Sequence, residues 1–127
     1  MSPRLADPRA AQVVEDSFLF RNGTDYDLEA WIVMPNHVHV VLRSRPHISL
    51  GTIIRRWKSW TAHEIHRIFG SSGRFWQPES FDRWLRDAQQ VEHAIRYVER
   101  NPVLAGLCES PLDWRFSSAR RFPDRWT

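Results

Sequence analysis

Cysteine is nearly missing from this chain. Cys108 stands alone, which excludes an intrachain disulfide and any C-x-x-C zinc knuckle. No apolar run approaches the roughly 18 residues that span a bilayer, and no signal peptide opens the sequence. A cytoplasmic location with no membrane partner is therefore the expectation. Internal repeats, low-complexity tracts and domain-length linkers are also lacking. With 127 residues this predicts one domain, 1–127, whose last residues, 119–127, form a tail.

What is present is arginine and aromatic surface. Lysine occurs once, at position 58, so seventeen of the eighteen basic residues are Arg, the side chain suited to forked phosphate contacts and base stacking. The formal charge of +3 hides an asymmetry. Residues 1–42 hold three Arg against six acids, whereas residues 43–127 hold fifteen basic residues against nine acids. Seven Trp and seven Phe accompany them. Arg mixed with aromatics suits single-stranded nucleic acid, although a solvated, salt-bridged surface explains the charge equally well.

Periodicity supplies the elements. Asp7–Pro8 reads as an N-cap with a first-turn proline, opening a helix to about Phe20 that Asn22–Gly23 stops. Tyr26 to Met34 and His37 to Arg43 read as strands joined by a Pro35–Asn36 turn, hence a hairpin. Ser49 caps a long helix ending near Gly70, with Leu50, Ile53, Ile54, Trp57, Thr61, Ile65 and Ile68 on one stripe. Phe81, Arg83 and Leu85 alternate with Asp82, Trp84 and Arg86, predicting a further strand within Phe75–Arg86. Asp87 caps a last helix that Asn101–Pro102 should end. The remainder reads as a tail of turns. The fold class is α+β, an antiparallel sheet covered by helices.

His37 and His39 project from one face of the second strand, about 7 Å apart along the chain. Val38, Val40 and Leu42 then take the opposite, core-facing side. A His-x-His in a strand is more often structural than ligating, so it needs a third partner. Tyr97 and Asn101, four apart on the last helix, offer one. Two imidazoles and an amide oxygen leave coordination positions open and favour Mg²⁺ or Mn²⁺ shared with a phosphate over a closed zinc site. Tyr97 would be the nucleophile; its phenol, with a pKa of about 10, needs activation near neutral pH. The plainer reading makes Tyr97 a half-buried helix tyrosine and Asn101 a helix cap. His93, one turn before Tyr97, is a candidate for proton transfer or a surface residue. His63 and His66 read better as a polar helix face than as ligands, and Trp57, Trp60 and Trp84 as core more than as stacking platforms.

The segments Met34-Pro-Asn-His-Val-His-Val-Val-Leu42 and Ile95-Arg-Tyr-Val-Glu-Arg-Asn-Pro-Val-Leu-Ala-Gly-Leu107 resemble the REP-associated tyrosine transposases, in the IS200-like group of HUH (His-hydrophobe-His) enzymes. Phe75-Trp-Gln-Pro-Glu-Ser-Phe-Asp-Arg-Trp-Leu-Arg-Asp87 is similar to the family's central Trp-Gln segment, and Asp113-Trp-Arg-Phe-Ser-Ser118 to its closing motif. The similarity runs in order from about residue 5 to residue 118.

The resemblance implies a ferredoxin-like sheet and a metal-dependent single-strand DNA endonuclease and transposase. His37, His39 and Asn101 would bind a divalent metal, Mg²⁺ or Mn²⁺. Tyr97 would cut at hairpin sites through a 5′-phosphotyrosine, and a 3′-hydroxyl would later rejoin the strand. Arg55, Arg56, Lys58 and Arg67 are the candidate phosphate contacts. A domesticated or degenerate hairpin-DNA-binding protein that no longer cuts is the alternative; a structural metal-binding or RNA-binding domain is a third reading. The family's first strand has no counterpart here, since only Met1–Ala6 precede Asp7. A sheet without it would expose an edge beside the histidines, which predicts a homodimer or reduced activity.

Overall fold

A computed structural model describes residues 3–76 and 85–127. Among the described residues three helices and a two-stranded antiparallel sheet form an α+β fold: α1 (Pro8–Phe20), β1 (Tyr26–Val33), β2 (Val38–Ser44), α2 (Leu50–Phe69) and α3 (Ala88–Leu104). Short 3₁₀ turns cover Pro3–Ala6, Pro111–Asp113, Ser118–Arg120 and Pro123–Trp126. The expected strand within Phe75–Arg86 falls largely on residues 77–84, Trp84 included, which lie outside the described residues. None of the described helices is long and apolar enough to cross a membrane.

The helix starts follow their capping residues. Asp7, Ser49 and Asp87 accept backbone N–H groups from Arg9, Thr52 and Gln90, which the first helical turns leave without partners. Gly70, at φ +62°, ends α2 in the left-handed conformation that glycine tolerates. The end of α3 corrects the sequence reading. Asn101–Pro102 does not stop the helix, which runs on to Leu104. Pro102 forfeits its N–H, yet its φ is helical, and the chain closes one turn later. Leu107 N–H reaches Pro102 O at 2.9 Å and Gly106 N–H reaches Val103 O at 3.0 Å, the paired bonds of a Schellman turn. Gly106, at φ +74°, is the true stop.

Both faces of the hairpin are buried. Leu28, Trp31 and Val33 pack with Val38, Val40 and Leu42 against α1 and α2. Ala30, Ile32, Met34 and Val41 pack against Val98, Val91, Ala94 and Ile95 of α3. Leu28 and Ala30 would share a face in a regular strand. A register shift between them, pairing Leu28 with Leu42 but Ala30 with Val41, sends them to opposite faces. The His face of β2 is therefore not a solvent face but the side that receives α3. On the other side, Tyr26 is fully buried and meets Phe18 and Trp57, the rings of Phe18 and Trp57 lying 4.9 Å apart. Trp57 donates Nε1–H to Tyr26 Oη at 3.2 Å, which makes it a core residue with a satisfied polar atom.

The outer edge of β1 is covered. Residues 114–118 run along it: Val33 N–H bonds Phe116 O at 2.9 Å, Trp31 N–H bonds Ser118 Oγ at 3.0 Å, and Ile32 forms a β-bridge with Ser117. Trp114 Nε1–H caps Val33 O at 3.0 Å, and an Arg125 guanidinium caps Glu29 O at 3.1 Å. These backbone groups of the β1 edge thus have partners within the chain, whereas among the described residues no strand pairs with the outer edge of β2, beside the histidines. The 119–127 tail is likewise a docked segment: Arg125 and Trp126 bond the buried Glu99 of α3.

Candidate functional site

The β1–β2 turn and α3 bring three rings into a row. Pro35–Asn36 turns the chain so that Met34 N–H bonds His37 O at 2.8 Å, starting β2 immediately afterwards. His37 and His39 share a face by strand alternation, and their rings meet edge to face with centroids 4.8 Å apart. His39 pairs with Ile32 in the sheet and is aimed at α3, where its ring lies 5.9 Å from that of Tyr97. Val98, the residue after Tyr97, is buried among Ala30, Ile32, Met34 and Val41. That packing presents the neighbouring Tyr97 at the margin of the sheet, 55% exposed. An exposed tyrosine beside two histidines is accessible to a macromolecular substrate.

The electrostatics suit metal ligation. Burial holds His39 below the ordinary histidine range, and the neighbouring His37 pushes it further down, so the imidazole is neutral with a lone pair to give. His37 Nδ1 lies 2.6 Å from Asn36 Oδ1. With the amide oxygen as acceptor, Nδ1 carries the proton and Nε2 is left to coordinate. Asn36 was read from sequence only as a turn residue; its position next to the His pair was the signal available. Among the described residues no group of three or more His, Cys, Asp or Glu side chains could hold a metal. The donor set is two imidazoles, to which an amide and substrate oxygens would have to add, and such an open, weakly charged set fits a divalent ion shared with a phosphate.

The other candidates divide. Asn101 sits one turn after Tyr97 on α3, partly buried, and its carbonyl accepts Ala105 N–H at 3.0 Å. A step of four residues advances about 6 Å and rotates about 40° from Tyr97. It is not among the described residues that line the broad groove running along β2, flanked by α3 on one face of the sheet and by α2 on the other, whereas His37, His39, His93 and Tyr97 are. Of the four basic candidates on α2, Lys58 lines that groove. Arg55 lies on a separate shallow depression, Arg56 reaches toward Asp25 at 3.7 Å, and Arg67 pairs with Glu64 at 2.9 Å. The groove instead receives Arg43, Arg86 and Arg96, three arginines that sequence reading passed over because they lie on three different segments. His63 is exposed, while His66 spends both ring nitrogens on Ser71 Oγ and Gly73 O, each at 2.8 Å, stapling the loop after α2.

Comparison with known proteins adds to this geometry. The family described as "Transposase IS200 like" matches residues 18–101, which contain β1, β2, α2 and most of α3. A REP-associated tyrosine transposase of Escherichia coli (strain K12) is 26% identical over 96 residues, 76% of this chain and 56% of the relative. The chain thus spans little more than half the length of that curated relative. The solved structure of a REP-associated tyrosine transposase bound to a REP hairpin superposes with a TM-score of 0.82 at 22% identity, covering 98% of this chain and 73% of the other. At that identity the superposition establishes the fold. With the family matched over two thirds of its length, from the end of α1 through Tyr97 to Asn101, this chain belongs to the IS200-like transposases.

Proposed function

We propose that this protein is a divalent-metal-dependent endonuclease and transposase acting on single-stranded DNA hairpins. The observation that carries the reading is the row His37–His39–Tyr97, with centroid separations of 4.8 and 5.9 Å across β2 and α3. A tyrosine held beside two imidazoles, exposed and facing a groove that Lys58 and several arginines line, suits attack on a phosphodiester.

His37 and His39 would hold the metal, and Asn101, on the next turn of α3, is the proposed third ligand. Bound there, a divalent ion would polarise the scissile phosphate and neutralise charge developing on it. Tyr97 Oη would attack phosphorus in line; the Oη–P bond forms as the P–O3′ bond breaks. The phenolic proton is lost and the departing 3′-oxygen is protonated, so the strand ends as a 5′-phosphotyrosine and a free 3′-hydroxyl. His93, one turn before Tyr97 and lining the same groove, would relay that proton. Attack by a 3′-hydroxyl on the phosphotyrosine reverses the bond changes and rejoins DNA. No external energy source enters, because one phosphodiester is exchanged for another. Arg43, Arg86, Arg96 and Lys58 would guide the backbone along the groove.

The partner follows from the comparisons only as a proposal: a relative of this fold is named as bound to a REP hairpin. The test is incubation with a single-stranded hairpin oligonucleotide and Mn²⁺ or Mg²⁺, followed by a denaturing gel. A covalent protein–DNA adduct that disappears in Tyr97→Phe and drops in His39→Ala is the expected result. Tight hairpin binding with no adduct at any metal concentration would instead identify a DNA-binding protein that does not cut.

A further inference from the structure

Glu99 is the most deeply buried charged residue described, with no exposed surface, and it lies two residues after Tyr97 on α3. Residues two apart on a helix point about 200° from each other, so Glu99 faces into the body of the protein while Tyr97 meets solvent. Both carboxylate oxygens are engaged. Oε2 accepts Ser118 Oγ–H at 2.5 Å and Arg125 Nη1–H at 2.6 Å, and Oε1 accepts Trp126 Nε1–H at 2.7 Å. Two of these partners reach onward to β1. Ser118 Oγ accepts the backbone N–H of Trp31 at 3.0 Å, and Arg125 Nη2 donates to Glu29 O at 3.1 Å. Ile32, next to Trp31, is the residue paired with His39.

A continuous chain of charge-assisted hydrogen bonds therefore runs from the Tyr97 helix to the strand paired with the His39 strand. Apolar packing of Val98 on Ala30 and Ile32 is non-directional and permits sliding along the sheet. A carboxylate bonded at both oxygens to fixed donors does not. A buried ion pair contributes little net stability over a well-packed apolar replacement, so its clearest use is to fix geometry.

We propose that Glu99, together with Ser118 and Arg125, is a positioning network that sets the separation between Tyr97 and His39. It rests on the nuclease reading above for its catalytic meaning, but its geometry can be tested without it. Glu99→Gln removes the charge and keeps the shape; Ser118→Ala cuts the link to Trp31. In both, the single-turnover rate of adduct formation should fall between about tenfold and a hundredfold, the range for displacing a reacting group by roughly 1 Å. Ser118→Ala should leave affinity for the hairpin oligonucleotide unchanged, because Ser118 does not line the groove; Glu99 and Arg125 border it, and Trp126 lies 5.8 Å from the Arg96 guanidinium, so their variants are read by rate at saturating oligonucleotide. Arg125→Ala should show the same fall, and Arg125→Lys, which keeps a cation beside Glu99, should retain part of the parent rate.

The structural readout is the proton NOE between the His39 and Tyr97 rings, present in the parent and lost or weakened in the variants. Loss of the NOE in the variants, with a parent that makes no adduct, would uphold the network and reject the nuclease reading. Folded Glu99→Gln and Ser118→Ala proteins with the parent rate and the parent NOE overturn the proposal, as does a lower rate with an unchanged NOE. Trp126→Phe, which deletes only the donor at Oε1, gives the same comparison where Glu99→Gln does not fold.

Discussion

Metal binding at the His pair can be measured without any DNA. The perturbation is addition of Mn²⁺ to the parent protein and to His37→Ala and His39→Ala. The two rings already face each other 4.8 Å apart, and His39 is held neutral by burial, so little reorganisation or proton loss opposes binding. An ion that binds only the folded state at a hundred times its dissociation constant adds about 2.7 kcal/mol. Unfolding entropy of about 2.1 cal/mol/K per residue gives about 270 cal/mol/K for a chain of this length, so the midpoint should rise by roughly 10 °C. Either alanine variant should lose most of that increment, whatever its own starting midpoint, because one imidazole cannot hold the ion against water. Differential scanning fluorimetry across a Mn²⁺ titration, reversed by EDTA, reads both numbers. Mg²⁺, which prefers oxygen ligands, should give a smaller shift at equal concentration. A full increment in both alanine variants would place the ion elsewhere and refute the ligand assignment.

Tyr97→Phe should abolish the adduct yet change stability by less than about 0.5 kcal/mol, since the ring is 55% exposed; urea unfolding checks it, and a larger loss would mean a structural tyrosine. Trp31→Phe should cost about 2–4 kcal/mol, because it opens a cavity and strips Glu15 Oε2 of the indole N–H that it accepts at 3.0 Å. Pairing it with Glu15→Leu should recover part of that loss, and a Trp31→Phe cost under about 0.5 kcal/mol would count against the bond. Lys58→Ala should lower the salt dependence of oligonucleotide binding by about 0.7 in logarithmic slope, one single-strand phosphate contact, whereas Arg67→Ala, already paired with Glu64 away from the groove, should not. Equal slopes for the two variants would remove Lys58 from the DNA path.

Local chemistry made much of the fold readable. Asp7, Ser49 and Asp87 mark helix starts because a side-chain oxygen at that position satisfies a backbone N–H within the same few residues. The hairpin was readable for a similar reason, since Pro35–Asn36 separates two runs of β-branched residues. Pro102 misled, because a proline in the last turn costs one hydrogen bond that buried packing of α3 on the sheet outweighs. The bulge at Leu28/Ala30 has no local sequence mark, being set by which face each strand half must bury.

The site divides along the same line. His37 and His39 are two apart, so alternation alone places them together; their approach to Tyr97 depends on α3 crossing the sheet, which only the resemblance foretold. The covering of β1 was illegible for a further reason. It needs Phe116 O, Ser118 Oγ, Trp114 Nε1 and Arg125 to meet backbone groups about ninety residues earlier, and none of those residue types announces such a partner. Counting strands from sequence misses this cover; counting backbone partners in the fold finds the β1 edge closed. The same closing segment also anchors Glu99. Covering the edge and setting Tyr97 against His39 are thus a single structural act, and Ser118→Ala should disturb both. Hydrogen exchange at the Trp31 amide would then accelerate in parallel with the loss of cleavage, and a protected Trp31 amide beside a slowed reaction would separate the two roles.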